Sequence, residues 1–298
     1  MDLNALRQFL AVARLEHLSR AADELHVAQP SLSRTIARLE AELGTPLFDR
    51  AGRLRLNDTG ALFREYVERS LGELDAGRRA VAEATSEGFG TVRMASETFL
   101  TFTGPLATFK RAHPDIEVEL QQVPAARMAR HLLTQEVDLC VASQPIHPDG
   151  LYAVQLMDEV MWLATPLGHP LAHRASVTID ELADQPFIAT HRGHWQRRLL
   201  DRLFAARNRT PRIVCEGDEA SAIAGLIVAG LGVGLVPDLA RRTMPNTSAA
   251  LVAVDSPECR RTVTLYWSAR SRLPRAARLL RATLTGWNWL TGEPAPAG

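Results

Sequence analysis

The sequence predicts an α/β chain in three stretches: a mostly helical N-terminal module, one long helix, and a larger region where strands and helices alternate. Three observations carry this. Apolar residues recur at helical spacing through residues 1–43, a second helical rhythm runs from 58 to about 86, and from 91 onward β-like runs alternate with helical ones. At 298 residues, 46% apolar and 23% charged, the chain has the size and balance of a multi-domain globular protein.

Leu3, Leu6, Phe9, Leu10 and Ala13 give the first helix one apolar face. Ser19 is the expected N-cap of a second helix, Arg20 to about Leu25, which packs through Ala21, Ala22 and Leu25. His26-Val27-Ala28-Gln29 is a tight turn. Pro30 suits the first turn of a third helix, Gly44 ends it, and Pro46 prevents it from resuming. Two short helices joined by such a turn make a helix-turn-helix. Pro46 to Arg50, an Ala51-Gly52 turn and Arg53 to Leu56 then form a small hairpin, or wing.

Asn57 caps the next helix, which runs to about Thr85. Phe63, Val67, Leu71, Leu74, Arg78 and Val81 form an irregular heptad seam with one charged break, which reads as a pairing helix rather than one packed on its own domain. Ser86 to Gly90 is a flexible joint. Beyond it, strands are expected at 91–96, 116–123, 137–142, 155–164, 213–216, 232–236, 251–254 and 261–268, with helices near 104–112, 125–134, 193–206, 219–229 and 274–289. This rhythm implies a mostly parallel sheet. Residues 291–298, rich in Pro, Gly and Ala, are expected to be disordered.

Composition narrows the function. The formal charge is zero, from 34 basic and 34 acidic residues, so the protein is not coated in nucleic acid, although a local DNA-binding face stays open. Lys110 is the lone lysine. No apolar run approaches the roughly 18 residues of a membrane span, and the first residues begin an amphipathic helix rather than a signal core, so a cytoplasmic protein is expected. Cys140, Cys215 and Cys259 match no zinc or redox spacing. The first two lie in β-like runs as inert thiols; whether Cys259, in a polar loop beside Arg260, is reactive stays open.

On a helical wheel the third helix puts Leu32, Ile36, Leu39 and Leu43 within roughly 60° of each other, with Arg34 nearly opposite and Pro30, Ala41 and Arg38 beside it. One face is core. The other is small and arginine-bearing, as a helix that enters the major groove requires. Residues 1–57 hold eight arginines against seven acids, a net of +1, so affinity must come from placed contacts and paired half-sites more than from bulk attraction.

The run SRAADELHVAQPSLSRTIARLEAELGTPLFDRAGRLRLNDTG, Ser19 to Gly60, resembles the N-terminal signature of LysR-type transcriptional regulators over nearly the whole module. The resemblance implies a winged helix-turn-helix over 1–57, a linker and dimerisation helix over 58–86, and over 91–290 a two-lobed α/β effector domain like a periplasmic binding protein. It places lobe 1 at about 91–162 and 268–290 and lobe 2 at about 163–267, with crossings near Met161–Leu163 and Tyr266–Ser268. Ser19, Arg20, Gln29, Pro30, Ser31, Ser33, Arg34 and Arg38 are then the base- and phosphate-facing residues, and Arg50, Arg53 and Arg55 seat the wing on the backbone. The sequence departs from the pattern at Ala28, where Ser or Thr is usual, and at Asn57, where Thr is.

Three phrases typical of the family recur: Gly168 to Ala172, Asp180 to Ile188, and Gly230 to Pro237. Ligands of such folds lie at strand ends near helix N-termini. That directs attention to Ser96-Glu97-Thr98, Ser143-Gln144, Thr190-His191-Arg192 and Gly217-Asp218-Glu219. Ser96 and Thr98 would meet a carboxylate or zwitterion that Thr190 and Arg192 close over. Glu97 either pairs with Arg192 or meets an amine of the ligand. Gly230 to Gly234 is no nucleotide fingerprint, and His147, His191 and His194 match no metal spacing. No cofactor is expected.

The partners implied are a double-stranded DNA operator, a small-molecule effector, a second copy in a homodimer or homotetramer, RNA polymerase, and no membrane. Nothing pairs a nucleophile with a base, and there is no phosphate loop, so an enzyme is disfavoured. A small-molecule carrier is the alternative, with no use for residues 1–57. A DNA-architectural protein has no use for the bulky sensor.

Overall fold

The computed structural model describes residues 1–85, 90–146, 149–243 and 249–294, in two compact units: Met1–Thr85 with Leu133–Glu136, and Ser86–Leu132 with Val137–Gly298. The expected joint at 86–90 falls, but for Gly90, outside the described residues, as does His147.

The first unit contains α1 (Leu3–Leu15), α2 (Leu18–Glu24), α3 (Gln29–Leu43), β1 (Phe48–Asp49), β2 (Arg55–Leu56) and α4 (Asp58–Thr85). Asp2 caps α1 by accepting from Ala5 N at 2.8 Å. The cap of α2 is His17, whose Nδ1 accepts from Arg20 N at 3.4 Å, and not Ser19, because the helix begins two residues earlier than its apolar spacing suggests. Ala28 leaves α3 without a side-chain cap, and Gly44 ends it in the left-handed region at φ 72°. Phe9, Leu32, Ile36, Leu39 and Leu47 form the centre of this core.

Two-residue strands do not hold a hairpin by themselves. Two carboxylates hold this one. Glu40 Oε1 on α3 accepts from Leu47 N at 2.8 Å and Phe48 N at 3.3 Å, and Glu16 Oε1, in the left-handed turn after α1, accepts from Leu56 N at 3.0 Å. Asn57 caps α4 as expected, with Oδ1 accepting from Gly60 N at 2.8 Å.

The seam of α4 divides. Phe63, Val67 and Leu71 pack into the module's own core, with Phe63 5.2 Å from Phe9 between ring centroids. The expectation of a wholly intermolecular seam is therefore corrected: α1 supplies an apolar surface on which this part of α4 packs. Leu62, Tyr66, Leu74 and Val81 stay exposed.

The second unit contains β3 (Thr91–Ser96), α5 (Thr103–Ala112), β4 (Glu117–Gln122), α6 (Ala125–Leu133), β5 (Leu139–Ala142), β6 (Leu151–Thr165), β7 (Ser176–Val177), β8 (Pro186–Ala189), α7 (Trp195–Ala205), β9 (Arg212–Glu216), α8 (Ala220–Val228), β10 (Gly234–Pro237), α9 (Asp238–Thr243), β11 (Ala250–Val254), β12 (Arg260–Ser268), α10 (Arg275–Thr285), β13 (Trp287–Asn288) and β14 (Glu293–Pro294). The first lobe orders its strands β4-β3-β5-β12-β6. In the second, β6 pairs with β10 and with β11, which in turn pairs with β7. Parallel strands β8 and β9 join through the Phe187–Val233 bridge. There Gly232 lets the chain approach: a Cβ would lie 2.4 Å from Pro186 O.

Strand β6 belongs to both sheets. It pairs with β12 through Val160↔Arg260 and turns to the second-lobe strands from Met161 onward. The return crossing is thus at Cys259–Arg261, with Met161 N donating to Cys259 O at 2.9 Å, and not at Tyr266–Ser268. Val263 and Leu265 pack in the first-lobe core, which moves residues 262–267 into lobe 1. Three further expectations change. β8, buried inside the second lobe, and α9, which follows β10, were unforeseen as elements; α10 ends at Gly286 rather than continuing to 289; and Glu293–Pro294 pairs with Trp287–Asn288, while 295–298 lie outside the described residues. Cys259 is 2% exposed and its thiol is pushed up to about 12 by burial, so it is inert.

Removing the Glu40 carboxylate should release the wing. Glu40→Ala leaves the Leu47 and Phe48 amides without an acceptor, at a cost of about 1–3 kcal/mol. Amide exchange at Leu47 and Phe48 should accelerate while exchange inside α1 changes little; unchanged protection at both amides would refute the clamp.

Candidate functional site

On the N-terminal module, Leu32, Ile36 and Leu39 turn α3 inward, and the other face presents Gln29, Pro30, Ser31, Arg34 and Arg38, all exposed, with Ser33 half-buried. Arg34 lies along the helix, its Nε donating to Pro30 O at 3.3 Å. Ser19 and Arg20 are exposed on α2, and Arg50, Arg53 and Arg55 on the hairpin. These arginines differ in availability. Arg50 is 2.8 Å from Glu40, and Arg38 3.7 Å from Asp2. Arg20, Arg34, Arg53 and Arg55 have no carboxylate within 4.0 Å among the described residues. An exposed unpaired guanidinium beside a helix with small residues can reach phosphate oxygens and guanine edges at little desolvation cost.

In the second unit a cavity of about 520 Å³ opens where the lobes meet. The 97–101 segment after β3 lines it from the first lobe; Thr190, the starts of α7 and α8, and the β10–α9 junction line it from the second. Of the residues expected there, Glu97, Thr98, Thr190, Asp218 and Glu219 line it. Ser96, buried under the segment, donates its hydroxyl to Thr98 O at 2.9 Å. Ser143 and Gln144 stand behind Glu97: Ser143 N donates to Glu97 Oε2 at 3.3 Å and Gln144 Nε2 to Oε1 at 2.7 Å. Gly217, His191 and Arg192 do not line the cavity. His191 faces solvent with Nδ1 2.9 Å from Asp218, and Arg192 is exposed, so the expected closure by Arg192 is corrected.

The arginine of the cavity is Arg261, at the return crossing and 3% exposed. Its Nε donates to Ser143 Oγ at 2.8 Å, its Nη1 to Glu159 Oε1 at 3.2 Å, and both Nη atoms to Thr101 Oγ1 at 3.3 Å. Its Cζ lies 4.4 Å from the Trp195 ring centroid. Partners thus come from both lobes. Glu159 also accepts from Leu239 N at 2.7 Å, which ties the start of α9 to the same cluster. The sequence did carry a signal: Arg261, Val263 and Leu265 alternate, the last two in the core.

Burial raises the Glu97 carboxyl above its ordinary range, against hydrogen bonds from Gln144, Ser143 and Trp195 and the charge of Arg261. Burial likewise raises Glu159, which Arg261 opposes. The imidazole of His194 is held at about 4, first by burial and further by Arg261, against Asp218. Its Nδ1 accepts from Gln196 N at 3.3 Å as the cap of α7, which the neutral ring alone can do. Among the described residues no cluster of three His, Cys, Asp or Glu side chains is arranged to hold a metal ion.

A helix-turn-helix with a wing, followed by a two-lobed domain with a cavity at the lobe junction, defines a ligand-responsive DNA-binding regulator. Comparison with known proteins specifies the family. A sequence model described as "Bacterial regulatory helix-turn-helix protein, lysR family" matches residues 3–61, and "LysR substrate binding domain" matches 85–288. The chain is 33% identical over 271 residues to the uncharacterized HTH-type transcriptional regulator YybE of Bacillus subtilis, covering 90% of this chain and 92% of the relative. It is 30% identical over 268 residues to the transcriptional dual regulator GltC of the same organism, covering 88% and 89%. Its fold is similar to full-length OxyR of Pseudomonas aeruginosa, with TM-score 0.69, 24% identity and 95% and 94% coverage. It is also similar to CbnR, a LysR family transcriptional regulator, with TM-score 0.66, 20% identity and 95% and 98% coverage. The chain belongs to the LysR family of transcriptional regulators, with a DNA-binding helix-turn-helix domain and an effector-binding domain. No described helix is long and apolar enough to cross a membrane.

The His194 shift has a signed consequence. Its folded pKa lies below the ordinary value, so its contribution to stability is complete above 6.5 and is lost as the pH falls towards 4. The raised carboxyls of Glu97 and Glu159 act oppositely, gaining stability as they protonate. Comparing wild type with His194→Asn, which keeps a capping acceptor, isolates the histidine. Thermal unfolding should show wild type losing about 1–3 kcal/mol across that window relative to the variant. Parallel curves would show that His194 is not held neutral.

Proposed function

We propose that the protein binds its operator as a homodimer or higher homo-oligomer in the cytoplasm, with α3 in the major groove and the hairpin on the flanking backbone. A small molecule at the lobe junction changes its action on RNA polymerase. The observation that supports the DNA reading most directly is the division of α3, with one side in the core and the other exposing Arg34 without a carboxylate partner. Arg20, Arg53 and Arg55 supply phosphate contacts, and Arg50, clasped by Glu40, positions the wing more than it contributes charge. The helix face left exposed by Leu62, Tyr66, Leu74 and Val81 supports pairing through α4, since apolar side chains at that spacing on one long helix are covered by a second copy. The cavity supports an effector site at the lobe junction, in the volume range of small-molecule sites. A carrier would have the cavity but no use for the arginine-bearing helix.

Arg34→Ala should weaken operator binding by about 1–3 kcal/mol and relax base preference, while Arg53→Ala should weaken all sequences alike and reduce the salt slope by about one. Footprinting and salt titration separate the two; an unchanged footprint and affinity for Arg34→Ala would displace α3 from the groove. Leu74, unlike Leu71, has no place in the module's core, so Leu74→Glu should halve the mass measured by light scattering without unfolding the chain. An undiminished mass would place the oligomer contact elsewhere.

A further inference from the structure

A carboxylate is seldom buried without a counterion, because the desolvation it suffers is recovered only when opposite charge is near. Glu97 breaks this pattern. It is 4% exposed, it lines the cavity, and among the described residues no arginine, lysine or histidine nitrogen lies within 4.0 Å of its carboxylate. Its neighbours are neutral donors: Gln144 Nε2 at 2.7 Å, the Ser143 amide at 3.3 Å and the Trp195 amide. A carboxylate has about four acceptor directions, so these leave room for a further donor. Arg261, the lone arginine or lysine among the lining residues, does not make up the deficit. Its charge is countered more strongly by Glu159, 3.2 Å from its Nη1, than by Glu97.

The rest of the lining adds to the same sign. Asp218 and Glu219 line the cavity from exposed positions; the first meets His191 at 2.9 Å and the second accepts from the Ser221 hydroxyl. His194 adds no positive charge, being neutral near pH 7. Three lining carboxylates thus surround one arginine that Glu159 already occupies. In a partly desolvated space such a field attracts a cation and repels an anion. A ligand carboxylate would find one spare N–H on Arg261 Nη2, at the cost of a further negative charge among acids. A zwitterion brings no net charge and leaves the surplus of acid as it was. Between Glu97 and the exposed acids the walls include Phe99, Leu100, Ile223, Val236 and Leu239, which suit an apolar body.

We propose, resting on the effector-site reading above, that the cavity takes a cationic amine: a protonated amino group seated on Glu97, with an apolar body against Phe99, Ile223 and Leu239. The ligand supplies the counterion that the fold withholds from this carboxylate.

Four probes of one aromatic skeleton test this: phenethylammonium, phenethyl alcohol, phenylalanine and hydrocinnamate. The amine of the first, like that of lysine, stays protonated near neutral pH. Each is titrated into the full-length protein by calorimetry, and entry into the cavity is followed by NMR at the methyl resonances of Ile223, assigned with Ile223→Val. Phenethylammonium should bind at least roughly tenfold more tightly than the other three and move the Ile223 resonances. Glu97→Gln keeps the size of the side chain and removes its charge. There phenethylammonium should lose roughly tenfold, while phenethyl alcohol stays within roughly threefold of wild type and so reports an intact cavity. Glu219→Gln, at an exposed position, tests the field without touching the buried site and should cost phenethylammonium roughly threefold. Any other probe ranking first in wild type overturns the proposal, as does a phenethylammonium affinity that either variant leaves unchanged. If no probe, at its solubility limit, moves the Ile223 resonances, the effector-site reading fails with it. Movement of those resonances with the wrong charge order sinks the ligand class alone.

Discussion

A guanidinium taken out of water must keep its donors occupied, and around Arg261 that requirement organises the sensor. The desolvation of such an ion amounts to several kcal/mol, recovered only through near-complete hydrogen bonding and close countercharge. The partners are drawn from the whole junction: Thr101 and Ser143 from the first lobe, Glu159 from the strand alongside, and Trp195 from the second lobe. Because Glu159 also receives the Leu239 amide, the start of α9 is fixed by the same charge. The walls of the cavity are therefore tied to one buried cation as well as to the apolar cores on either side.

The N-terminal module solves a smaller version of the same problem with the signs reversed. Its hairpin strands are too short to hold themselves, and Glu40 and Glu16 accept backbone N–H groups that would otherwise be left without partners. Acidic residues that offset the module's arginines in a bare count are thus occupied inside it. The near-neutral sum of the first 57 residues hides an uneven distribution, with Glu16 and Glu40 turned to the chain and Arg20, Arg34, Arg53 and Arg55 turned to solvent.

How much of this was legible depended on the range of the interactions. The three helices, the wing, the Asn57 cap and most of the strands follow from local periodicity and turn chemistry, which act over a few residues. The N-cap of α2 was misplaced by two residues because a histidine nitrogen took the role that Ser19 was expected to fill. The α4 seam was read as wholly intermolecular because nothing in its own sequence says that Phe9 stands opposite Phe63. Arg192 was expected in the cavity as part of the Thr190-His191-Arg192 run, and Arg261 was not foreseen. The partners of Arg261, Thr101 and Ser143, lie 160 and 118 residues away in sequence, and only the strand alternation through Val263 and Leu265 marked it as inward-facing.

The place of the crossings has a mechanical meaning. Val160 faces Arg260 and Glu159 faces Arg261 across one ladder, so the outward and return strands pass between the lobes side by side. Two connections far apart would brace the lobes as two bolts brace a plate, leaving one axis of rotation. Two connections bonded to each other act as a single flexible stem, about which the lobes can bend and also twist. Among the groups that grip this stem at its base is the side chain that also lines the cavity.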